Sequence, residues 1–171
     1  IVIMILAPFI KKFGKRNLVL WGAILTAVAQ LLLLFVPANP TFAAVIAAIR
    51  GIGKAPLFGC IFTMMADVVN YGHWKTGVRV QALIFSAATV GQKFGGGIAG
   101  AVVGWLMDAS GFTGLEQEIP SAVAMVENLY IWGTVLAWGV IILLMLAYKL
   151  DKQYDGMIAD MEQKGMLKQA D

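Results

Sequence analysis

The chain has 171 residues, 60% of them hydrophobic and 13% charged, with a formal net charge of +3 and a mean hydropathy of +0.79. A soluble domain carries about a quarter charged residues, so this composition excludes an ordinary soluble globule and indicates a polytopic membrane protein. The basic excess does not point to nucleic acid as a partner, because the Lys and Arg residues are interleaved with apolar runs instead of gathered on one face.

The sequence opens on IVIMILAPF, with neither an initiator Met nor a charged leader region. That is not a signal peptide. It reads as the end of a membrane span that starts earlier, so the chain is expected to be a fragment. A spanning helix needs about 20 apolar residues. The first whole candidate is 17–36, NLVLWGAILTAVAQLLLLFV, which PANP at 37–40 terminates, because proline lacks an amide donor and blocks continuation. Further candidates cover 42–66, 80–107 and 124–148. These runs are long and continuous, unlike the ten-residue alternations of barrel strands. The expected fold is therefore all-α, a polytopic membrane helix bundle in residues 1–150 followed by a tail at 151–171. The tail is expected to form a short helix with Tyr154, Ile158 and Met161 on one side, or to fray in solvent.

The basic residues set an orientation. KKFGKR at 11–16 holds four, the connection at 37–41 none, the stretch at 67–79 Lys75 and Arg79, and the next loop none but Asp108, Glu116 and Glu118. This alternation places 11–16, 67–79 and the C-terminus on the cytoplasmic side of a cell membrane.

The stretch DVVNYGHWKTGVR at 67–79 reads as a polar hairpin between two spans. Asp67 ends the preceding helix, Tyr71 and Trp74 suit the headgroup layer, and Gly72 and Gly77 permit turns. His73 is expected to be solvated. Trp21, Trp105, Trp132 and Trp138 are expected to pack against lipid or neighbouring helices.

Three cations lie inside the expected spans: Arg50, Lys54 and Lys93. Each costs about 2.5–3.5 kcal/mol at a helix centre, so such residues face a polar cavity or a partner. Arg50 and Lys54 are four apart and share a face. No acid falls beside Lys93, so its partners are expected on helices outside this sequence. Ser86, Thr89, Gly97, Gly100 and Gly104 fall within about 40° of Lys93 on a helical wheel. Gly96, Gly100 and Gly104 repeat at the four-residue spacing that lets helices approach closely. One face thus carries two hydroxyls, an ammonium and a glycine groove. It reads either as a tightly packed seam or as the lining of a solute pathway. The lone Cys60 excludes a disulfide framework or a cysteine-based metal site within the chain. No metal cluster, phosphate loop or nucleophile–base arrangement is seen, so no catalytic residue, metal or cofactor is expected.

ADVVNYGHWKTGVR at 66–79, TVGQKFG at 89–95, RGIGKAPLFG at 50–59 and KKFGKRN at 11–17 together resemble the glycoside–pentoside–hexuronide:cation symporters of the major facilitator superfamily. The resemblance covers residues 1–150. It implies the C-terminal part of a 12-helix carrier, from the end of helix 8 through helix 12. It also implies symport of a sugar, glycoside or hexuronide with Na⁺ or H⁺ by alternating access about a midplane site. It maps a pathway lysine onto Lys93 and a threonine onto Thr89; the helix face they share and the intramembrane cations add Ser86, Lys54 and Arg50 as candidates on the substrate and cation pathway. The resemblance also implies that the loop between helices 10 and 11 acts on the cytoplasmic side; there Asp67, Tyr71, Trp74, Lys75 and Arg79 read either as an ordinary anchored loop or as a gating latch in which Asp67, Lys75 and Arg79 pair across the two halves in one state. The implied partners are the lipid bilayer, the sugar and an N-terminal transmembrane half. Asn70 and His73 stand where family members commonly carry acids, and Ala7 and Lys11 depart from the superfamily's loop pattern. The alternatives are a same-fold transporter of another solute, anionic or lipid-like, and a small membrane scaffold that transports nothing.

Overall fold

The computed structural model describes residues 8–10, 12–35, 40–114 and 119–164. Expectations placed on 1–7, Lys11, 37–39, Glu116, Glu118 and the last seven positions lie outside the described residues. Helix α1 is Lys15–Leu32, α2 is Pro40–Thr76, α3 is Gln81–Ala109 and α4 is Pro120–Ala147; a turn at Leu150–Lys152 leads into α5, Tyr154–Gln163. No strand occurs among the described residues. The all-α expectation holds.

Local chemistry explains the boundaries. Pro40 and Pro120 stand in the first turns of α2 and α4, where a missing amide donor costs nothing. α2 corrects the hairpin expectation. It continues past Ala66 to Thr76, so Asp67, Tyr71, Trp74 and Lys75 sit on a helix and not in a loop. Residues 67–76 contain no proline, and side chains one turn apart support the helix. Lys75 Nζ donates to the Tyr71 hydroxyl at 3.2 Å, and Thr76 Oγ1 to the Gly72 carbonyl at 2.8 Å. Gly77 ends it with φ +74°, its N–H donating to the His73 carbonyl at 2.8 Å; glycine adopts that left-handed conformation at least cost.

α1 lies between α2 and α4. Its closest approach to α2 is at Gly22 and Gly53. A methyl group on Gly22 would run into the Gly53 carbonyl oxygen, and one on Gly53 into the Thr26 hydroxyl. Thr26, fully buried, donates back to the Gly22 carbonyl at 2.9 Å. The pairing of small residues lets the two backbones meet. Val19, Cys60 and Met64 form a buried cluster beside this crossing, flanked by Leu18, Leu57, Met145 and Tyr148.

α3 differs from its neighbours in burying none of its residues. Trp21, Trp105 and Trp132 are exposed, whereas Trp138 is buried. Two helices, Pro40–Thr76 and Pro120–Ala147, are long and apolar enough to cross a membrane. α4 buries Ala122 and Trp138 and packs Met145 on the core cluster, with many of its other large apolar side chains exposed. α1 and α3 stand where spans are expected, but α1 opens with Lys15 and Arg16, and α3 carries Gln92, Lys93 and a run of glycines. The four-span reading is therefore met by composition for two helices and is a proposal for the other two.

Candidate functional site

The residues expected on the pathway fall into two separate groups. Ser86, Thr89 and Lys93 lie on the exposed α3. Both hydroxyls fold back onto their own helix: Ser86 Oγ donates to the Ala82 carbonyl at 2.6 Å and Thr89 Oγ1 to the Phe85 carbonyl at 2.9 Å. Lys93 lines an open groove with Phe94, Gly97 and Ile98. Among the described residues no acid or hydrogen-bond acceptor reaches its ammonium.

Arg50 and Lys54 lie on α2, both half-buried. Arg50 Nη1 donates to the Tyr130 hydroxyl at 2.5 Å, and its guanidinium carbon lies 5.1 Å from the centre of that ring. Tyr130 belongs to a π-helical turn, Leu129–Gly133, that interrupts α4. Such turns change the in-helix bonding of the carbonyls. The Tyr130 carbonyl accepts from Gln30 Nε2 at 2.7 Å and from Thr134 Oγ1 at 2.7 Å. Gln30 is fully buried, and its Oε1, like Arg50 Nε, has no partner among the described residues. Arg50, Gln30 and Tyr130 thus join α2, α1 and α4 in a polar node. Sequence reasoning missed Gln30 and Tyr130. A glutamine in an otherwise apolar span was the available signal.

The expected gating residues gather at the opposite end of the bundle. Asp67 is buried, and its carboxylate accepts from Lys15 Nζ at 2.5 Å. This ion pair ties α2 to α1. Lys75 turns to Tyr71, and Arg79 lines a small cleft with Ala66, Val69, Asn70, Gln81 and Phe85. Tyr71 and Trp74 have ring centres 5.9 Å apart.

The tail closes over this end. Met157 and Met161 of α5 are buried. Trp74 Nε1 donates to Asp160 at 2.5 Å, Asn70 Nδ2 to the Tyr154 hydroxyl at 3.4 Å, and Lys15 lies 5.0 Å from the centre of the Tyr154 ring. A hydrogen bond from Lys164, and then the one from Trp74, holds the Asp160 carboxyl below its usual 3.8. The tail is thus a helix over 154–163 docked on α2, and not frayed there. His73, expected in solvent, is buried. Arg16 completes the network. Its amide donates to Asp151 at 2.7 Å, Nε to the Met145 carbonyl at 2.7 Å and Nη2 to the Leu146 carbonyl at 3.1 Å. A guanidinium on the last carbonyls of α4 also complements that helix's dipole. Lys15, Arg16, Asp151 and Asp160 were legible only as loop and tail charges.

The profile of the family described as MFS/sugar transport protein matches residues 1–152. The chain belongs to that family. Its motifs resemble the glycoside–pentoside–hexuronide symporters, and its relatives agree with them. An isoprimeverose transporter from Lactiplantibacillus pentosus is 37% identical over 161 residues, 90% of this chain and 33% of that protein. A putative sulfoquinovose importer from Salmonella typhimurium is 27% identical over 153 residues, 88% of this chain and 32% of that protein. A glucuronide carrier protein homolog from Escherichia coli is 30% identical over 115 residues, 67% of this chain and 25% of that protein. No solved structure matches. The chain spans a quarter to a third of the length of these curated relatives.

Membership of this family makes the chain part of a membrane protein and not an enzyme. It also gives the exposure of α3 a physical frame. α3 carries an ammonium, two hydroxyls and a run of glycines on an exposed helix, and an uncompensated cation in lipid is costly.

Proposed function

We propose that this chain forms the C-terminal helices, 8 to 12, of a secondary active transporter that carries a sugar, glycoside or hexuronide in symport with Na⁺ or H⁺. The observation that carries the reading is Lys93. It stands on a helix with no buried residue, without an acidic partner among the described residues, in a chain of the sugar transport family. In a carrier of the relatives' length, an N-terminal half supplies aspartates to that face. Lys93 then answers to the state of a cation and sugar site near the midplane, and Ser86, Thr89 and Lys54 border the same path. Helix positions for this chain follow from the motif resemblance, and the charge alternation supports cytoplasmic placement of Lys15, Asp67 and the tail. The bundle moves as one body during alternating access, with Lys15–Asp67, the Arg16 contacts and α5 bracing its cytoplasmic end.

Vesicles containing the complete carrier test this. Labelled isoprimeverose and a labelled glucuronide are offered under an imposed Na⁺ gradient or an imposed pH gradient. Uphill accumulation of one sugar, driven by one gradient and abolished by the matching ionophore, is expected. Uptake that never exceeds equilibrium under either gradient overturns symport.

A second reading, an anionic solute, is favoured by a specific observation. Lys54 and Lys93 have no anionic partner among the described residues, and relatives carry names of sulfonate and glucuronide carriers. Competition for uptake by a sulfonated sugar, stronger than by its neutral counterpart and by a glucuronide, favours the second reading over the first.

A further inference from the structure

A cleft of about 180 Å³ opens where the start of α1 meets the end of α4. It is walled by Arg16, Leu146, Tyr148, Lys149 and Gln153. Arg16 is shared with a neighbouring groove that includes Lys12, Phe13 and Asp151. We propose that this cleft is a binding site for the headgroup of an anionic phospholipid.

Its chemistry fits a phosphodiester at a membrane boundary. Arg16 is pre-aimed, because two of its nitrogens are fixed on the Met145 and Leu146 carbonyls. Its third, Nη1, makes only a 3.5 Å contact to Asn17 and remains able to donate. A planar guanidinium held in place meets phosphate oxygens with little further ordering. Lys149 is exposed and makes no ion pair or hydrogen bond among the described residues. Lys12, also exposed, adds a third cation on the adjoining groove. One acid borders the site, Asp151, which accepts from the Arg16 amide at 2.7 Å; against Arg16, Lys149 and Lys12 it leaves the cleft net positive.

The level is also right. α4 ends at Ala147, so Lys149 follows directly on the apolar span, where basic clefts between helices meet headgroups. Leu146 is 50% exposed on the span side of the cleft. Phe9 and Phe13, both exposed, stack at 6.5 Å beside Lys12. A cationic floor under an outward apolar rim is the order of a phospholipid, phosphate first and acyl chain beyond it. Free phosphate would use the floor alone. The inference rests on the chain being embedded in a membrane and is independent of which solute is carried.

The complete carrier, purified in detergent, is mixed with phosphatidylglycerol or phosphatidylcholine, and retained lipid is counted by native mass spectrometry. Wild type is expected to retain phosphatidylglycerol in preference to phosphatidylcholine. Lys149→Gln is expected to lower phosphatidylglycerol retention by about five-fold, the effect of one basic residue at an anionic headgroup. Arg16→Gln should lower it further. Because Arg16 also braces α4, the Lys149 variant is the deciding one, and Lys164→Gln in the tail, whose effect falls on the docking of α5, is the control that should leave lipid retention unchanged. Excess inorganic phosphate should not displace the lipid. Equal retention of the two lipids, or unchanged retention in Lys149→Gln, overturns the site. Displacement by inorganic phosphate alone overturns the lipid as occupant.

Discussion

Lys15 and Asp67, 52 positions apart, form an ion pair at 2.5 Å in which the acid is 5% exposed and the base 22%. This asymmetry predicts asymmetric mutants. Lys15→Ala strands a buried carboxylate and should cost about 3 kcal/mol, the low end for breaking a buried pair because Lys15 is partly solvated. Asp67→Asn leaves a lysine that can turn to water and should cost about 1 kcal/mol. The double variant should cost less than the sum. Thermal unfolding of the three variants in detergent checks the order. Since both partners lie in this chain, reversing the charge of Asp67 should reduce folded yield together with transport.

The crossing of α1 and α2 gives a second test. Gly53→Ala places a methyl against the Thr26 hydroxyl and should destabilise by about 1–3 kcal/mol. Gly51→Ala, two positions away, meets nothing within 4 Å and should be neutral or stabilising by up to about 1 kcal/mol. Denaturation midpoints of the pair separate a backbone contact from a general intolerance of side chains in α2.

The tail should stay docked across the neutral range. The Asp160 carboxyl is held below its usual 3.8 by Lys164 and then Trp74. A depressed value means that the contribution is complete above the usual value and is lost as pH falls through the lowered one. Amide exchange over 154–163 should therefore stay protected from pH 7 down to about 4 and open only in stronger acid. Trp74→Phe should remove part of that protection at neutral pH.

These tests fall where the sequence was least readable. Apolar run lengths and the motifs at 50–59, 66–79 and 89–95 carried the fold and family. They did not carry the length of α2. A polar stretch rich in Asp, Lys and Trp looks like a loop, yet side chains one turn apart and a buried Asp67 let it continue as helix to Gly77. Nor did they carry pairings between distant positions. Lys15 read as one of four basic loop residues, and its selection by Asp67 depends on the angle at which α1 crosses α2. Arg50 was visible as a cation that needed a partner, but the partner is an aromatic hydroxyl in a π-turn of α4. A search for carboxylates passes over such a group. Lys93 was legible as a residue, and no acid among the described residues reaches it, so its partner could not be read from this chain.

Uptake by the complete carrier bearing Lys93→Ala tests the central claim most directly. Cells expressing wild type and variant at equal membrane levels are given labelled sugar under whichever imposed gradient, Na⁺ or H⁺, drives wild-type uptake. The expected result is that wild type concentrates the sugar, whereas Lys93→Ala, inserted normally, brings it no higher than equilibrium. Uphill accumulation by Lys93→Ala at the wild-type rate would contradict the claim and leave α3 as a packing seam.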